Sequence, residues 1–119
     1  METLKEKIDY AAERFGFEAI SNQLIEEMSE LTKVLCKMNR LNGLGMPPAK
    51  EITEAKLVDD IIEELADVKV TLEQMIHLMS AEPYIADIIE FKVKRTYERM
   101  GWPDYWLTHK MLEKKKEAK

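Results

Sequence analysis

The stretch EAISNQLIEEMSELTKVLCKMNRL, residues 18–41, decides the fold. Its apolar residues recur at steps of three and four, so the pattern predicts one long amphipathic helix. The same stretch crowds three glutamates into about one and a half turns, where like charges repel by roughly 0.2–0.5 kcal/mol per pair. A solvated helix face is the ordinary explanation for such crowding. The apolar residues are Ile20, Leu24, Met28, Leu31, Leu35 and Met38, and the glutamates are Glu26, Glu27 and Glu30.

The rest of the chain predicts three more helices and a tail. Helices are expected over about residues 3–15, 51–80 and 83–100, and the loop NGLGMPPAK (42–50) contains two glycines and two prolines that interrupt the pattern. The tail is expected to start a short fifth helix near Asp104. We therefore predict an all-α protein, an antiparallel four-helix bundle with a short C-terminal helical tail.

Length and composition predict how this bundle is organised. With 119 residues, 45% hydrophobic and 34% charged, the chain fits one helical domain over residues 1–119, with its core in 18–100 and its tail in 101–119. Val70 lies well off the apolar stripe of the third helix, which predicts cover on a second side. We therefore expect a homo-oligomer, a dimer or a tetramer.

Charge and cysteine content exclude several classes of function. A net charge of −5 makes the chain a poor partner for a phosphate backbone, so we expect no nucleic-acid binding. The single Cys36 allows no internal disulfide, and no run of 18 apolar residues is present for a membrane span. The expected location is the cytoplasm, with no membrane partner.

A second acidic motif stands on the third helix, in the stretch IIEELADVKV (61–70). At about 100° per residue, Glu27 lies roughly 60° from the centre of its apolar stripe, with Glu30 further round on the same side, and Glu26 points more nearly outward. Glu64 lies about 70° from the stripe of the third helix, with Asp67 a further 60° round. If the two helices pack with these edges adjacent, four carboxylates converge.

Such convergence favours a bound metal ion. Two unit charges 4 Å apart interact by ~4 kcal/mol at an effective dielectric of 20, and a divalent cation reverses the sign of that energy. Carboxylates without His or Cys suit Mg²⁺, with Mn²⁺ as the alternative. A di-iron bundle is disfavoured because it needs Glu-x-x-His on two helices, and neither His77 nor His109 follows a glutamate by three residues.

The two motifs together, E-E-x-x-E and E-x-x-D followed by the ADV of residues 66–68, resemble the MazG-like all-α nucleoside triphosphate pyrophosphohydrolases. The resemblance covers about residues 22–100 and departs from the family in the long spacing between Glu30 and Glu64. It implies that Glu27, Glu30, Glu64 and Asp67 bind Mg²⁺. Glu26 would be a water-orienting carboxylate and the candidate general base.

The fourth helix carries a basic stripe in FKVKRTYERM (91–100). Lys92, Arg95 and Arg99 recur at three and four residues, similar to the basic run that follows the metal motifs in this family, which implies phosphate binding. Pairing with Glu90 or Glu98 on a solvated face is the alternative.

The function that the resemblance implies is Mg²⁺-dependent hydrolysis of (d)NTP to (d)NMP and pyrophosphate, a nucleotide-pool house-cleaning reaction. Two other functions stay open. One is a helical interaction or scaffold module without catalysis, and the other is a degenerate relative that binds nucleotides without turnover.

Overall fold

The computed structural model describes residues 2–48 and 51–101, and all the regular secondary structure in this part of the chain is α-helix. The predicted all-α class and the four predicted helices are confirmed. The predicted fifth helix near Asp104 lies outside the described residues. The helices are α1 (Leu4–Phe15), α2 (Phe17–Leu41), α3 (Glu54–Leu78) and α4 (Glu82–Arg99).

Side-chain caps set the starts of α1 and α3. The Thr3 hydroxyl accepts the backbone N–H of Glu6 at 3.1 Å, and the Thr53 hydroxyl accepts that of Lys56 at 3.2 Å. Each bond satisfies a donor that the first turn of a helix cannot use internally. The cap at Thr53 explains why α3 begins three residues later than the apolar pattern predicts.

Gly16 separates α1 from α2 without a loop. Its φ of 90° and ψ of 167° lie in a region that is essentially open only to glycine. Its N–H donates to Ala12 O at 2.8 Å, and its carbonyl accepts the N–H of Ile20 at 3.1 Å. This one residue therefore ends one helix and starts the next.

The structure divides into two compact units, and each is described by itself. The first is Met1–Ser80 and contains α1, α2 and α3. Within it α2 packs mainly against α3, and α1 contacts both. The second unit begins at Ala81, and its described part is α4 with its C-cap. The prediction of a single domain over 1–119 stays a prediction.

The core of the first unit is small and partly polar. Its buried apolar side chains are Ala12, Ile20, Val34 and Leu57. Thr71 and Gln74 are also buried, and both are hydrogen-bonded, as buried polar groups must be. The Thr71 hydroxyl donates to the carbonyls of its own helix, whereas Gln74 Nε2 donates to Ile8 O of α1 at 3.2 Å. Gln74 thus ties α1 to α3.

A charged contact also joins α1 to α3. His77 Nε2 lies 2.8 Å from Glu13 Oε1, and His77 Nδ1 lies 3.6 Å from Asp9 Oδ2. Lys5 Nζ reaches the same Asp9 oxygen at 2.8 Å. Because an ionised carboxylate only accepts hydrogen bonds, Nε2 donates to Glu13. We call Lys5, Asp9, Glu13 and His77 the paired cluster.

In the second unit, Pro83 lies in the first turn of α4, where its missing N–H costs no hydrogen bond. The helix ends as predicted, with Gly101 at a φ of 80° and its N–H bonded to Glu98 O at 3.0 Å. No helix within residues 2–48 and 51–101 has the length and apolarity needed to cross a membrane.

Candidate metal centre

The seam between α2 and α3 has a seven-residue repeat that includes two glutamates. On α2, Glu27 lies midway between Ile20 and Val34, seven residues from each, and both of these are buried. Residues seven apart lie on nearly the same face of a helix. Glu27 therefore points toward the same seam as two core side chains.

The partner helix shows the same arrangement. Glu64 lies seven residues after Leu57 and seven before Thr71, and both of these residues are buried. One layer of the α2–α3 seam thus contains carboxylates where the layers on either side contain core residues. A carboxylate at such a position loses hydration, which costs free energy unless a partner compensates.

Glu27, Glu64 and Asp67 converge in this layer, and we call them the acidic triad. One ligand oxygen from each lies within 4.8 Å of the others, and among the described residues this is the single group of its kind. Glu27 and Glu64 are half-buried, and Asp67 is exposed. The site therefore has a protected inner side and a side open to solvent.

Glu64 is the member of the acidic triad with a buried oxygen that nothing compensates among the described residues. Its Oε2 is buried and has no hydrogen-bond partner among the described residues. Loss of hydration raises the pKa of Glu64 above its ordinary value, and the charges of Asp67, Glu27, Glu30 and Glu63 raise it further. Glu64 therefore has a desolvated oxygen in an environment that disfavours its ionised form.

Among the described residues, no cationic side chain forms an ion pair with the acidic triad. Between described residues, the ion pairs within 4.0 Å are those of the paired cluster and the Lys56–Asp60 pair on the surface of α3. The one polar contact from a described side chain to a triad carboxylate is neutral, since Gln23 Nε2 donates to Glu27 Oε1 at 2.6 Å. An amide donor orients Glu27 but does not cancel its charge.

The other predicted acidic site residues lie beside the triad. Glu30 is exposed and outside the 4.8 Å group, although its charge contributes to the raised pKa of Glu64. Glu26 is also exposed and outside the group, as its outward position on the helix predicts. Their roles as a fourth ligand and a general base stay predictions.

The predicted phosphate-binding residues Lys92, Arg95 and Arg99 lie on α4, in the second unit, and all three are exposed. The guanidinium carbon of Arg95 lies 5.9 Å from the centre of the Phe91 ring, a cation–π contact within α4. None of the three basic residues forms an ion pair with a described residue within 4.0 Å, so the predicted alternative of pairing with Glu90 or Glu98 is not seen.

A pocket beside the triad was not predicted from the sequence. It has a volume of about 270 Å³ and is lined by Phe15, Ala19, Ile20, Gln23 and Gln74. The available signal was the spacing of Ala19, Gln23 and Glu27 at four-residue steps, which places all three on one face of α2. The contribution of Gln74, from α3, depends on tertiary packing and has no local signature.

Comparison with known proteins identifies no relative for this chain. No protein-family model, no curated protein and no solved structure matches it. Any assignment of function therefore depends on the geometry of the site and on the resemblance of its motifs.

Proposed function

We propose that this protein is a Mg²⁺-dependent nucleoside triphosphate pyrophosphohydrolase of the MazG-like type, converting (d)NTP to (d)NMP and pyrophosphate. The observation that carries the proposal is the acidic triad, with the buried and unpartnered Oε2 of Glu64 in a helix–helix seam. Two motifs that lie far apart in the sequence supply one compact set of oxygen ligands. The convergence expected of such a metal site supports the proposal.

The triad suits a small hard cation. Oxygen ligands about 2.1 Å from Mg²⁺ lie roughly 2.9 Å apart when adjacent and 4.2 Å apart when opposite. Ligand oxygens that lie within 4.8 Å of one another need only small side-chain movements to meet this geometry. Carboxylates without nitrogen or sulfur ligands favour Mg²⁺, and Mn²⁺ is the closest substitute.

Each carboxylate then has a distinct role. Glu27, Glu64 and Asp67 would hold the ion, and Glu30 would approach as a fourth ligand or bind through water. When bound, the ion neutralises phosphate charge and orients the triphosphate. Glu26, exposed at the edge of the site, is the candidate for taking the proton from the attacking water. Attack of that water at the α-phosphorus breaks the bond to the bridging oxygen and releases pyrophosphate.

The basic stripe of α4, in the second unit, is proposed to bind phosphate groups. Lys92, Arg95 and Arg99 are exposed cations without a carboxylate partner among the described residues. Guanidinium groups bind phosphate oxygens with two parallel hydrogen bonds, which makes them suited to this role.

We also propose an antiparallel bundle that assembles into a homo-oligomer. Residues of α2 and α3 meet in two places, at the pocket through Gln23 and Gln74 and at the triad through Glu27 and Asp67. Along α2 the pocket residue comes before the triad residue, and along α3 it comes after, which is the order expected of antiparallel helices. Large apolar side chains are exposed on these helices, such as Ile25 at 56% and Ile62 at 60%. Such side chains are typical of a surface that a partner subunit covers.

These exposed apolar side chains also favour the alternative, an interaction or scaffold module without catalysis. The two functions differ in what they require of the acidic triad. An interaction module needs no divalent ion, whereas the pyrophosphohydrolase is inactive without one. A role in nucleotide-pool house-cleaning in the cytoplasm follows only from the enzyme.

A product assay tests the proposed function. The purified protein and an Asp67→Asn variant are incubated with Mg²⁺ and each common NTP and dNTP, including dUTP, and the products are resolved by ³¹P NMR. We expect monophosphate and pyrophosphate from the wild type and a loss of about 100-fold or more in the variant. Diphosphate and phosphate would contradict the reaction class, and no turnover by folded protein would favour the interaction module.

A further inference from the structure

A second seven-residue repeat runs beside the α2–α3 seam. Each of its residues directly follows a residue of the seam, and each is a large apolar side chain with 41–50% of its surface exposed. Apolar side chains at a constant seven-residue spacing are the pattern with which helices pack on one another. We call these residues the apolar band, and they are Met28 and Leu35 on α2 and Val58, Leu65 and Leu72 on α3.

The apolar band lies on the opposite side of the seam from Glu30 and Asp67. One residue along a helix turns a side chain by about 100°, whereas three residues turn it by about 300°, which is about 60° in the other direction. The band follows the seam residues by one position, and Glu30 and Asp67 follow Glu27 and Glu64 by three. In the proposed antiparallel order of α2 and α3, the one-residue turns bring both halves of the band to the same side.

The contacts of α1 place it on the side of α3 that faces away from the band. Gln74 follows the seam residue Thr71 by three positions, and its Nε2 donates to Ile8 O of α1 at 3.2 Å. His77 lies three residues further along, and its Nε2 is 2.8 Å from Glu13 Oε1 of α1. The packing of α1 in the first unit therefore leaves the band uncovered.

The α2–α3 face that contains the band has the size of a subunit interface. Both helices have 25 residues. Each is therefore about 37 Å long, and two helices side by side are about 20 Å wide, which gives a face of roughly 700 Å². A standard interface buries about 800 Å² on each partner. None of the five side chains of the band is charged, so the band lacks the cations that bind a phosphate backbone or anionic lipid head groups.

We propose that the apolar band is the interface between two copies of this chain, in which α2 and α3 of both copies pack as one four-helix bundle. A two-fold axis places the same patch on both copies, so a face made of two uncharged apolar stripes is complementary to itself. The inference rests on the assembly that is part of the proposed function, and it assigns that assembly to one surface. A partner at the band leaves the solvent-facing side of the acidic triad free, because Asp67 lies on the other side of the seam.

Charged substitutions in the band test the proposal. Leu72→Glu on α3 and Leu35→Glu on α2 each place two carboxylates in the interface, one from each copy. Val70→Glu is the matched control, because Val70 is also 41% exposed but lies about 160° from Leu72 around the same helix. Helical circular dichroism shows whether each variant is folded, and the two band variants keep the test decisive if one of them is not. The mass is measured by analytical ultracentrifugation in EDTA over micromolar concentrations.

The expected result is that the wild type and Val70→Glu have at least twice the chain mass of 13.9 kDa, and that the Kd of assembly is at least about 100-fold higher in the band variants. A monomeric wild type overturns the interface. Band variants that assemble like the wild type overturn it as well, and so does a control that dissociates as they do. Nucleotide turnover by a monomer rejects the interface and keeps the proposed enzyme. A dimer that the band variants dissociate, and that turns over no nucleotide, keeps the interface and rejects the enzyme.

Discussion

Two acidic clusters lie along α3: the paired cluster, between α1 and α3, and the acidic triad, between α2 and α3. They differ in the groups that neutralise their charge. In the paired cluster, Asp9 and Glu13 of α1 lie 2.8–3.6 Å from the cationic or donor groups of Lys5 and His77. Each of these carboxylates has a partner of complementary charge or a hydrogen-bond donor. This cluster is explained fully as a structural contact between two helices.

The acidic triad has no such partner within residues 2–48 and 51–101. Glu27, Glu64 and Asp67 meet one another in a core layer of the α2–α3 seam, and Gln23 adds only a neutral donor. Burial raises the pKa of Glu64, and the charges of the neighbouring carboxylates raise it further. Acidic residues that a fold desolvates together, without a cation of its own beside them, are candidates for a binding site.

The largest expected difference between the two clusters is in catalysis. Glu64→Gln removes one charged ligand from the triad, and we expect turnover of nucleoside triphosphates to fall by about 100-fold or more. Glu13→Gln makes the same chemical change in the paired cluster and is expected to keep turnover within about two-fold. Steady-state rates for both variants at saturating Mg²⁺ check this. Equal losses in the two variants would mean that the triad has no special role.

A smaller effect is expected on stability, with opposite signs in the two clusters. His77→Ala removes the bond to Glu13 and should lower the free energy of unfolding by about 1 kcal/mol, the usual size for a partly exposed hydrogen bond to a charged group. Glu64→Gln relieves repulsion and should raise the melting temperature of the metal-free protein. Chemical and thermal unfolding in EDTA measure both changes. A lower melting temperature for Glu64→Gln would show that the ionised side chain stabilises the fold.

The smallest effect is a pH dependence that comes from Glu64. Because its pKa is higher in the folded chain than its ordinary value of 4.5, ionisation costs more in the folded state than in the unfolded state. The contribution to stability is therefore complete below about pH 4.5 and is lost as the pH rises through the folded-state pKa. In EDTA, the wild type should gain stability relative to Glu64→Gln as the pH falls from 7 toward 4.5. A difference that stays constant over this range would contradict the assignment.

Much of the helical framework follows from sequence periodicity. The observed α2, Phe17–Leu41, begins only one residue before the predicted span. The agreement is close because Gly16 marks the start of the helix and a single apolar stripe runs along it. The centre of the stripe was harder to predict. Met28 and Leu35 belong to the predicted apolar stripe, yet they are 44% and 43% exposed, whereas Ile20 of the stripe and Val34 outside it are buried. An apolar residue does not reveal which neighbour covers it.

The candidate site also combines residues that the sequence predicts with contacts that it does not predict. The sequence predicts Glu27, Glu64 and Asp67 as site residues because the acidic residues of each motif lie at helical spacing beside an apolar stripe. The pairing of His77 with Glu13 could not, since 64 residues separate them and neither has a local signature. Contacts between residues far apart in the chain depend on how the helices pack, which periodicity alone does not define.

The most direct test of the account is a Mg²⁺ titration of the wild type, Glu64→Gln and Glu13→Gln, followed by thermal unfolding at neutral pH. An ion that binds the folded state at 100 times its Kd adds about 2.7 kcal/mol to the free energy of unfolding. The account predicts that Mg²⁺ at millimolar concentration raises the melting temperature of the wild type and of Glu13→Gln, and that Glu64→Gln loses this rise while keeping its helical circular dichroism. A wild-type melting temperature that does not change up to tens of millimolar Mg²⁺ or Mn²⁺ would contradict the metal site.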